Sequence, residues 1–193
     1  MLTGIYASVF PIIIAATVST IVVKLKVFNT WRLPMDNQKT AWDGHRVFGD
    51  NKTWIGVVGL ILFGAISMML WGLVCKSNPN IAANNWFYRA HDNTTGFNSL
   101  VGALMGLMYA VAELPNSFMK RRQGIAAGET VSGLKGTLNI ILDHTDSIFG
   151  CAMLMLFLVP LTGGEFFSLI VVGAMTHVFV NAVLVLAKVK KNI

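Results

Sequence analysis

The chain has 193 residues, of which 54% are hydrophobic and only 12% charged, about half the charged share of an ordinary globular domain. A core this small cannot hide so much apolar surface, so the solvent must be lipid. Fifteen Lys and Arg against nine Asp and Glu leave a net charge of +6, and there are only two cysteines, Cys75 and Cys151. Disorder, coiled coil and a secreted disulfide scaffold are thereby excluded; both cysteines lie in or beside apolar runs and read as inert packing.

Five runs carry no formal charge: Gly4–Val23, Trp54–Val74, Phe97–Ala112, Ile148–Leu161 and Phe166–Leu186. About 20 helical residues cross a hydrocarbon core, so the third and fourth runs must borrow residues from polar flanks. The expected fold is an all-α integral membrane protein, one membrane domain over 1–193. Its spans are expected near 4–23, 54–74, 97–112, 138–161 and 166–186, with two functional cytoplasmic loops at 24–53 and 113–137. No basic residue precedes the first run and it is long for a signal sequence, so it is expected to stay in the membrane.

The basic residues fix a direction. Lys24, Lys26, Arg32, Lys39, Arg46 and Lys52 fall between the first two runs, and Lys120, Arg121, Arg122 and Lys135 between the third and fourth. With Lys188, Lys190 and Lys191 of the tail, one side collects thirteen positives; the other has only Lys76 and Arg89. The positive-inside bias then puts the N-terminus outside and the C-terminus in the cytoplasm, and it does so only for an odd number of spans. Topology accounts for the basic charge, and no nucleic-acid motif accompanies it.

On the outer side, Cys75–Gly96 is rich in Asn and groups Trp86, Phe87 and Tyr88, which reads as an interfacial aromatic anchor followed by a polar loop. Gly102 and Gly106 form a small-xxx-small pair suited to helix packing. His177 and Asn181, one turn apart in the last span, read either as a hydrogen-bonded packing pair or as the lining of a cavity.

The feature that points most directly to chemistry is Asp143-His144-Thr145-Asp146. On a helix beginning near Thr137, i and i+3 project from one face, with Asn139 one turn earlier. An unpaired carboxylate at the edge of the hydrocarbon costs several kcal/mol, so something must neutralise the pair. Hard oxygens suit Mg²⁺ when substrate phosphates complete the shell; the other readings are satisfaction by Lys or Arg, or a helix N-terminal charge facing water. Upstream, Glu113-Leu-Pro-Asn-Ser-Phe-Met-Lys-Arg-Arg-Gln-Gly124 holds the densest positive cluster, and Pro115 with Gly128, Gly133 and Gly136 is expected to interrupt helix and bring backbone N–H groups to an anion. The first cytoplasmic loop packs Asp36, Asp43, Arg46, Gly49, Asp50, Lys52, Thr53 and Gly56 into some twenty positions. That is longer than joining two helices requires, and it reads as functional or as a solvated charged linker. HExxH, GxSxG and paired CxxC are absent, so zinc hydrolysis and serine acyl transfer have no basis. His45, His91 and His144 are too scattered to make a dedicated metal site.

Ser117-Phe-Met-Lys120-Arg121 followed by Asp143-His-Thr-Asp146 resembles the signature of the phosphatidate cytidylyltransferase superfamily. The blocks Glu113 to Ile125 and Leu142 to Ser147, with Asp43-Gly-x-Arg46, Gly49 and Lys52-Thr53-Trp54-x-Gly56, are most similar to the CDP-archaeol synthase family, and the resemblance spans nearly the whole chain. It implies transfer of a cytidylyl group from CTP to a membrane lipid phosphate, with Mg²⁺, giving a CDP-activated lipid and pyrophosphate in phospholipid biosynthesis at the cell membrane. Carried over, Asp143 and Asp146 hold the metal, and Lys120 and Arg121 offset charge on the triphosphate and the leaving pyrophosphate. Asn116 and Ser117 orient phosphate oxygens, while Asp43, Arg46, Lys52 and Thr53 form the cytoplasmic wall. The superfamily's Lys-Asp pair has no counterpart here, which leaves Glu113 or Glu129 to supply a third carboxylate; His144 stands where the larger enzymes have Arg. A small cation or proton transporter using Asp143, Asp146 and His177 is the alternative; it predicts polar residues through the full bilayer depth, whereas these gather on one side.

Overall fold

The computed structural model describes residues 1–25, 32–129 and 131–190; Lys26 and Lys191, counted above among the cytoplasmic charges, lie outside them. The helices are α1 (Leu2–Lys24), α2 (Trp54–Ser77), the short α3 (Pro79–Asn84), α4 (Thr95–Arg122), α5 (Gly133–Leu158) and α6 (Gly163–Leu186), with a 3₁₀ turn at Trp86–Arg89 between α3 and α4. Five of these helices are long and apolar enough to cross a membrane. Among the described residues there is no strand, only isolated antiparallel bridges at Pro34–Thr53 and Thr40–Arg46.

Side-chain caps start three of the long helices. Thr53 accepts from Gly56 N on α2, Thr94 from Phe97 N on α4, and Thr162 and Glu165 close a reciprocal capping box on α6, satisfying donors that a helix start leaves open. The apolar runs located these helices, but two boundaries differ from expectation. Helix α4 continues through Glu113 and Asn116 to Arg122, so much of the expected loop at 113–137 is helical. Helix α5 begins at Gly133 rather than near Thr137. Polar side chains end a lipid-facing run without ending the backbone ladder. Pro115, expected to interrupt helix, lies inside α4, where it removes one N–H from the ladder.

Glycines bring the backbones together. A Cβ on Gly64 would fall 2.3 Å from the Gly102 carbonyl oxygen, and one on Gly106 would fall 2.1 Å from that of Leu60. Helices α2 and α4 therefore meet backbone to backbone, the use expected of the Gly102/Gly106 pair. A Cβ on Gly150 would reach Met108 O at 2.8 Å, which sets α5 equally close to α4. The core between them holds Ile5, Val9, Met68, Val101, Met105, Ala152 and Met155, while Leu62, Ile66, Leu70, Phe167, Val171 and Met175 are exposed. An apolar exterior is what a lipid solvent requires.

The connection between α2 and α4 corrects a second expectation. Trp86 and Phe87 are 2% and 0% exposed, so they plug the end of the bundle and turn into protein, not outward as anchors. Gly4 leaves room for the Trp86 indole, which a Cβ there would approach to 2.2 Å, and Trp86 N donates to Ser8 Oγ at 2.8 Å. The polar groups around them pair with one another: Tyr88 Oη donates to Asn98 Oδ1, Asn98 Nδ2 to Asn93 Oδ1, and Asn93 Nδ2 to Gly72 O. Arg89 reaches Glu165 of α6 at 2.7 Å. An aromatic triplet in a polar segment signals amphipathic placement but not which way the rings turn.

Candidate active site

Helices α4 and α5 run antiparallel, and their polar faces match turn for turn. On α4, Glu113, Asn116, Lys120 and Gln123 recur at spacings of three and four, which is one helical face; on α5, Asn139, Asp143 and Asp146 do the same. Asn116 Nδ2 donates to Asp143 Oδ1 at 2.7 Å and to Asp146 Oδ2 at 2.8 Å. Lys120 Nζ donates to Asp143 Oδ1 at 2.6 Å and pairs with its second oxygen. Asn139 Nδ2 lies 3.5 Å from Gln123 Oε1 at the end of the ladder. Lys120 thus offsets the charge of Asp143, whereas Asp146 accepts only from neutral donors, Asn116 Nδ2 and Ser147 N. Asp143 nonetheless keeps 41% of its side chain exposed, and Asn116 Oδ1 is buried with no partner among the described residues.

The first loop closes over this end of α4 and is organised by Asp36. Its carboxylate accepts from Arg46 Nη2 at 2.7 Å, Gly49 N at 2.9 Å, Phe48 N at 3.0 Å and Gln38 N at 3.1 Å. Burial pushes the Asp36 pKa up, but Arg46 and these backbone donors outweigh it and hold the carboxyl well below the usual carboxylate range. Gly49 has φ +91°, a conformation that favours glycine, and a Cβ there would meet Ala127 at 3.2 Å. The loop docks through Arg122, whose Nε lies 2.6 Å from Asp43 and whose Nη2 donates to Arg46 O, with Phe118 under the guanidinium at 4.2 Å. Lys52 pairs with Glu113, one turn from Asn116.

Of the residues expected at the site, the structure brings Asn116, Lys120, Asp143 and Asp146 into one hydrogen-bonded cluster, and Lys52 joins α4 beside it. Arg121 turns to another face, donating to Ile125 O. Arg46 is held by Asp36 and Asp50, Asp43 by Arg122, and Thr53 is buried as the cap of α2. Ser117 is half-buried and takes no part in the cluster. Glu129 closes its own turn by accepting from Ala126 N, whereas Glu113 lies close enough to act electrostatically on Asp146. His177 and Asn181 do not pair with each other: His177 Nε2 is 3.2 Å from Tyr109 Oη and Asn181 holds Lys190. Sequence reasoning did not identify Asp36 as the organiser of the loop. The signal was local, an Asp after Pro34 whose side chain accepts from the N–H two residues on, the mark of an Asx turn.

Whether this cluster suits Mg²⁺ is decided by its donors. Magnesium takes hard oxygens and usually keeps waters or substrate phosphates. Asp143, Asp146 and the unpaired amide oxygen of Asn116 are such donors, while the imidazole of His144 is a nitrogen donor better suited to softer metals. No group of three or more His, Cys, Asp or Glu able to hold a metal occurs among the described residues. The set therefore fits a cation whose shell the substrate completes, not a cage built wholly of protein.

A profile of the CarS-like family, described as CDP-archaeol synthase, matches residues 1–192. The CDP-archaeol synthase of Sulfurisphaera tokodaii is 27% identical over 158 residues, covering 81% of this chain and 79% of its own. That of Methanococcoides burtonii is 27% identical over 169 residues, covering 82% and 89%. That of Thermofilum pendens is 33% identical over 140 residues, covering 72% and 55%. No solved structure matches. With the match running essentially end to end across a five-span helical bundle, the chain belongs to the CDP-archaeol synthase family, nucleotidyltransferases that use CTP.

Proposed function

We propose that this chain transfers the cytidylyl group of CTP to an archaeol-like lipid phosphate at the Asn116–Lys120–Asp143–Asp146 cluster, on the cytoplasmic face of the cell membrane. The observation that carries the reading is the Asn116 amide bridging two carboxylates on the facing helix while Lys120 covers one of them. Family membership supplies CTP; the archaeol of the related synthases supplies the lipid; the thirteen-to-two bias of basic residues supports the side.

In the reaction, a lipid phosphate oxygen attacks the α-phosphorus of CTP. The new P–O bond forms as the α–β phosphoanhydride bond breaks, and pyrophosphate leaves with the electron pair. The attacking phosphate is largely ionised near neutral pH, with a second pKa of about 6 for a phosphomonoester, so no strong base is needed and the protein must position and neutralise. Asp143 and Asp146 would hold Mg²⁺, with Asn116 turning its unpaired oxygen to the same ion; bound there, the metal offsets charge on the phosphates. Lys120 would exchange Asp143 for triphosphate oxygens once the carboxylate is engaged. Ser117 and Arg121 would line the wall of α4, and Asp43, Arg46, Lys52 and Thr53 would hold the loop closed over the nucleotide. Catalysis of this kind rests on placement and electrostatics.

The test is transfer of label from CTP to a panel of ether and acyl lipid phosphates in detergent or nanodiscs. The wild type should form CDP-lipid with an ether lipid phosphate preferred, and Asp143→Asn and Asp146→Asn should each lower the rate by about a thousandfold or more. Full activity in both variants would refute the assignment of the site. The transporter alternative has no comparable support.

A further inference from the structure

The end of α6 turns back on itself. Lys188 has φ +59°, a left-handed conformation uncommon for a residue with a side chain, and the N–H groups of Val189 and Lys190 donate to Leu184 O at 2.9 and 3.2 Å. This reversal, more often made by glycine at a helix end, carries Lys190 to Asn181, where Nζ donates to Oδ1 at 2.8 Å. Buried Asn181 lines a cavity among α1, α4, α5 and α6, together with Thr17, Thr20, Tyr109, Thr176 and His177. Lys190 forms no ion pair among the described residues. Burial pushes its pKa down, as do the like charges of Lys24 and Lys52, while Glu113 and Asp143 act in the opposite sense, so the ammonium stands among cations within electrostatic range of the cluster described above.

A charge needed only for topology would do its work in water, as exposed Lys188 does. A half-buried ammonium with a neutral amide partner costs free energy, and an anion is what would repay it. The position also suits an amphiphile: exposed Val18 on α1 and Val183 on α6 face lipid, hydroxyls line the cavity between the helices, and the cation stands at the end where both chains meet the cytoplasm. We infer that Lys190 receives the phosphate of the lipid acceptor, which enters along the α1–α6 cleft and comes to rest beside the α4–α5 carboxylates. The inference rests on the proposed reaction and adds a second, lipid-side phosphate site to its nucleotide side.

The experiment separates the two substrates. Initial rates are measured for the wild type, Lys190→Ala and Lys190→Arg, varying lipid phosphate at saturating CTP and then CTP at saturating lipid. Lys190→Ala should raise the KM for lipid phosphate about tenfold, the loss of one charge-assisted hydrogen bond. The KM for CTP should stay within about twofold, and Lys190→Arg should recover most of the loss. Asn181→Asp, which offers Lys190 a carboxylate, should raise the same KM with Lys190 still present. An unchanged lipid KM in Lys190→Ala, or an equal rise for CTP, overturns the inference. Inorganic phosphate should compete poorly with the lipid; strong competition would instead assign Lys190 to free phosphate. Binding of a short-chain lipid phosphate followed by ³¹P NMR without CTP gives the same comparison when no turnover is seen, so failure of the reaction and failure of the lysine site remain distinguishable. If Lys190→Ala does not fold, Lys190→Gln and Asn181→Asp in that binding measurement decide it.

Discussion

The two ends of the bundle treat polar groups differently. At the Trp86 end, Asn93 and Asn98, Tyr88, Arg89 and Glu165 form closed pairs over buried Trp86 and Phe87. At the Asp143 end, Asn116 keeps an unpaired buried oxygen, Asp143 stays 41% exposed, and Lys190 has an amide where a carboxylate would be expected. Completed polar networks rigidify, whereas incomplete ones cost stability. The Trp86 end is a plug and the Asp143 end is open to what it lacks. A polar cluster in a membrane protein is thus better judged by its unfilled hydrogen-bonding capacity than by its residue types.

The contrast can be broken from either end. The largest expected effect is at the Asp143 end: Lys120→Met should reduce CDP-lipid formation by about a thousandfold. Its cost in stability should stay under about 1 kcal/mol, because the Asp143 left behind is partly solvated. Thermal melts beside rate measurements would check both halves. The Trp86 end should behave inversely: Trp86→Ala should cost about 3–5 kcal/mol, seen as a lower melting temperature, while the turnover of the protein that remains folded stays near the wild-type value. The smallest effect sharpens the comparison. Asp36 is a completed network at the Asp143 end, so Asp36→Asn should loosen the first loop by about 3 kcal/mol, read by faster proteolysis between Leu33 and Lys52 with the spans intact. The same loop supplies a pH test. Its carboxyl titrates lower folded than unfolded, so the contribution of Asp36 is complete above the ordinary carboxylate range of about 4 and is lost as pH falls from there toward the depressed value. Protection of the loop should therefore fade on acidification and not on raising the pH.

Particular residues mark how far the sequence could be read. Gly102 and Gly106 announced a close helix contact, and the carboxylates Asp143 and Asp146 announced a shared face, because a helix fixes the spacing of both. The end of α4 was not legible. Glu113, Asn116 and Lys120 look like loop residues to any measure of apolarity, yet the backbone there bonds to itself whatever its side chains prefer. Trp86 and Phe87 were read at an interface because composition gives amphipathicity without direction. The partners of Arg46, Asp43 and Thr53 are Asp36, Arg122 and Gly56 N, contacts illegible in the sequence because they join separated positions or depend on the course of a turn.

The sequence alone determined the solvent, the number of spans and the helix face that Asp143 and Asp146 share, since each follows from local composition and helical period. Only the tertiary structure decided which groups meet. The pairing of Asn116 with Asp143 and Asp146 depends on the distance of approach between α4 and α5, which Gly150 keeps short because its missing side chain lets the backbones touch; that of Lys190 with Asn181 depends on the chain reversal after α6.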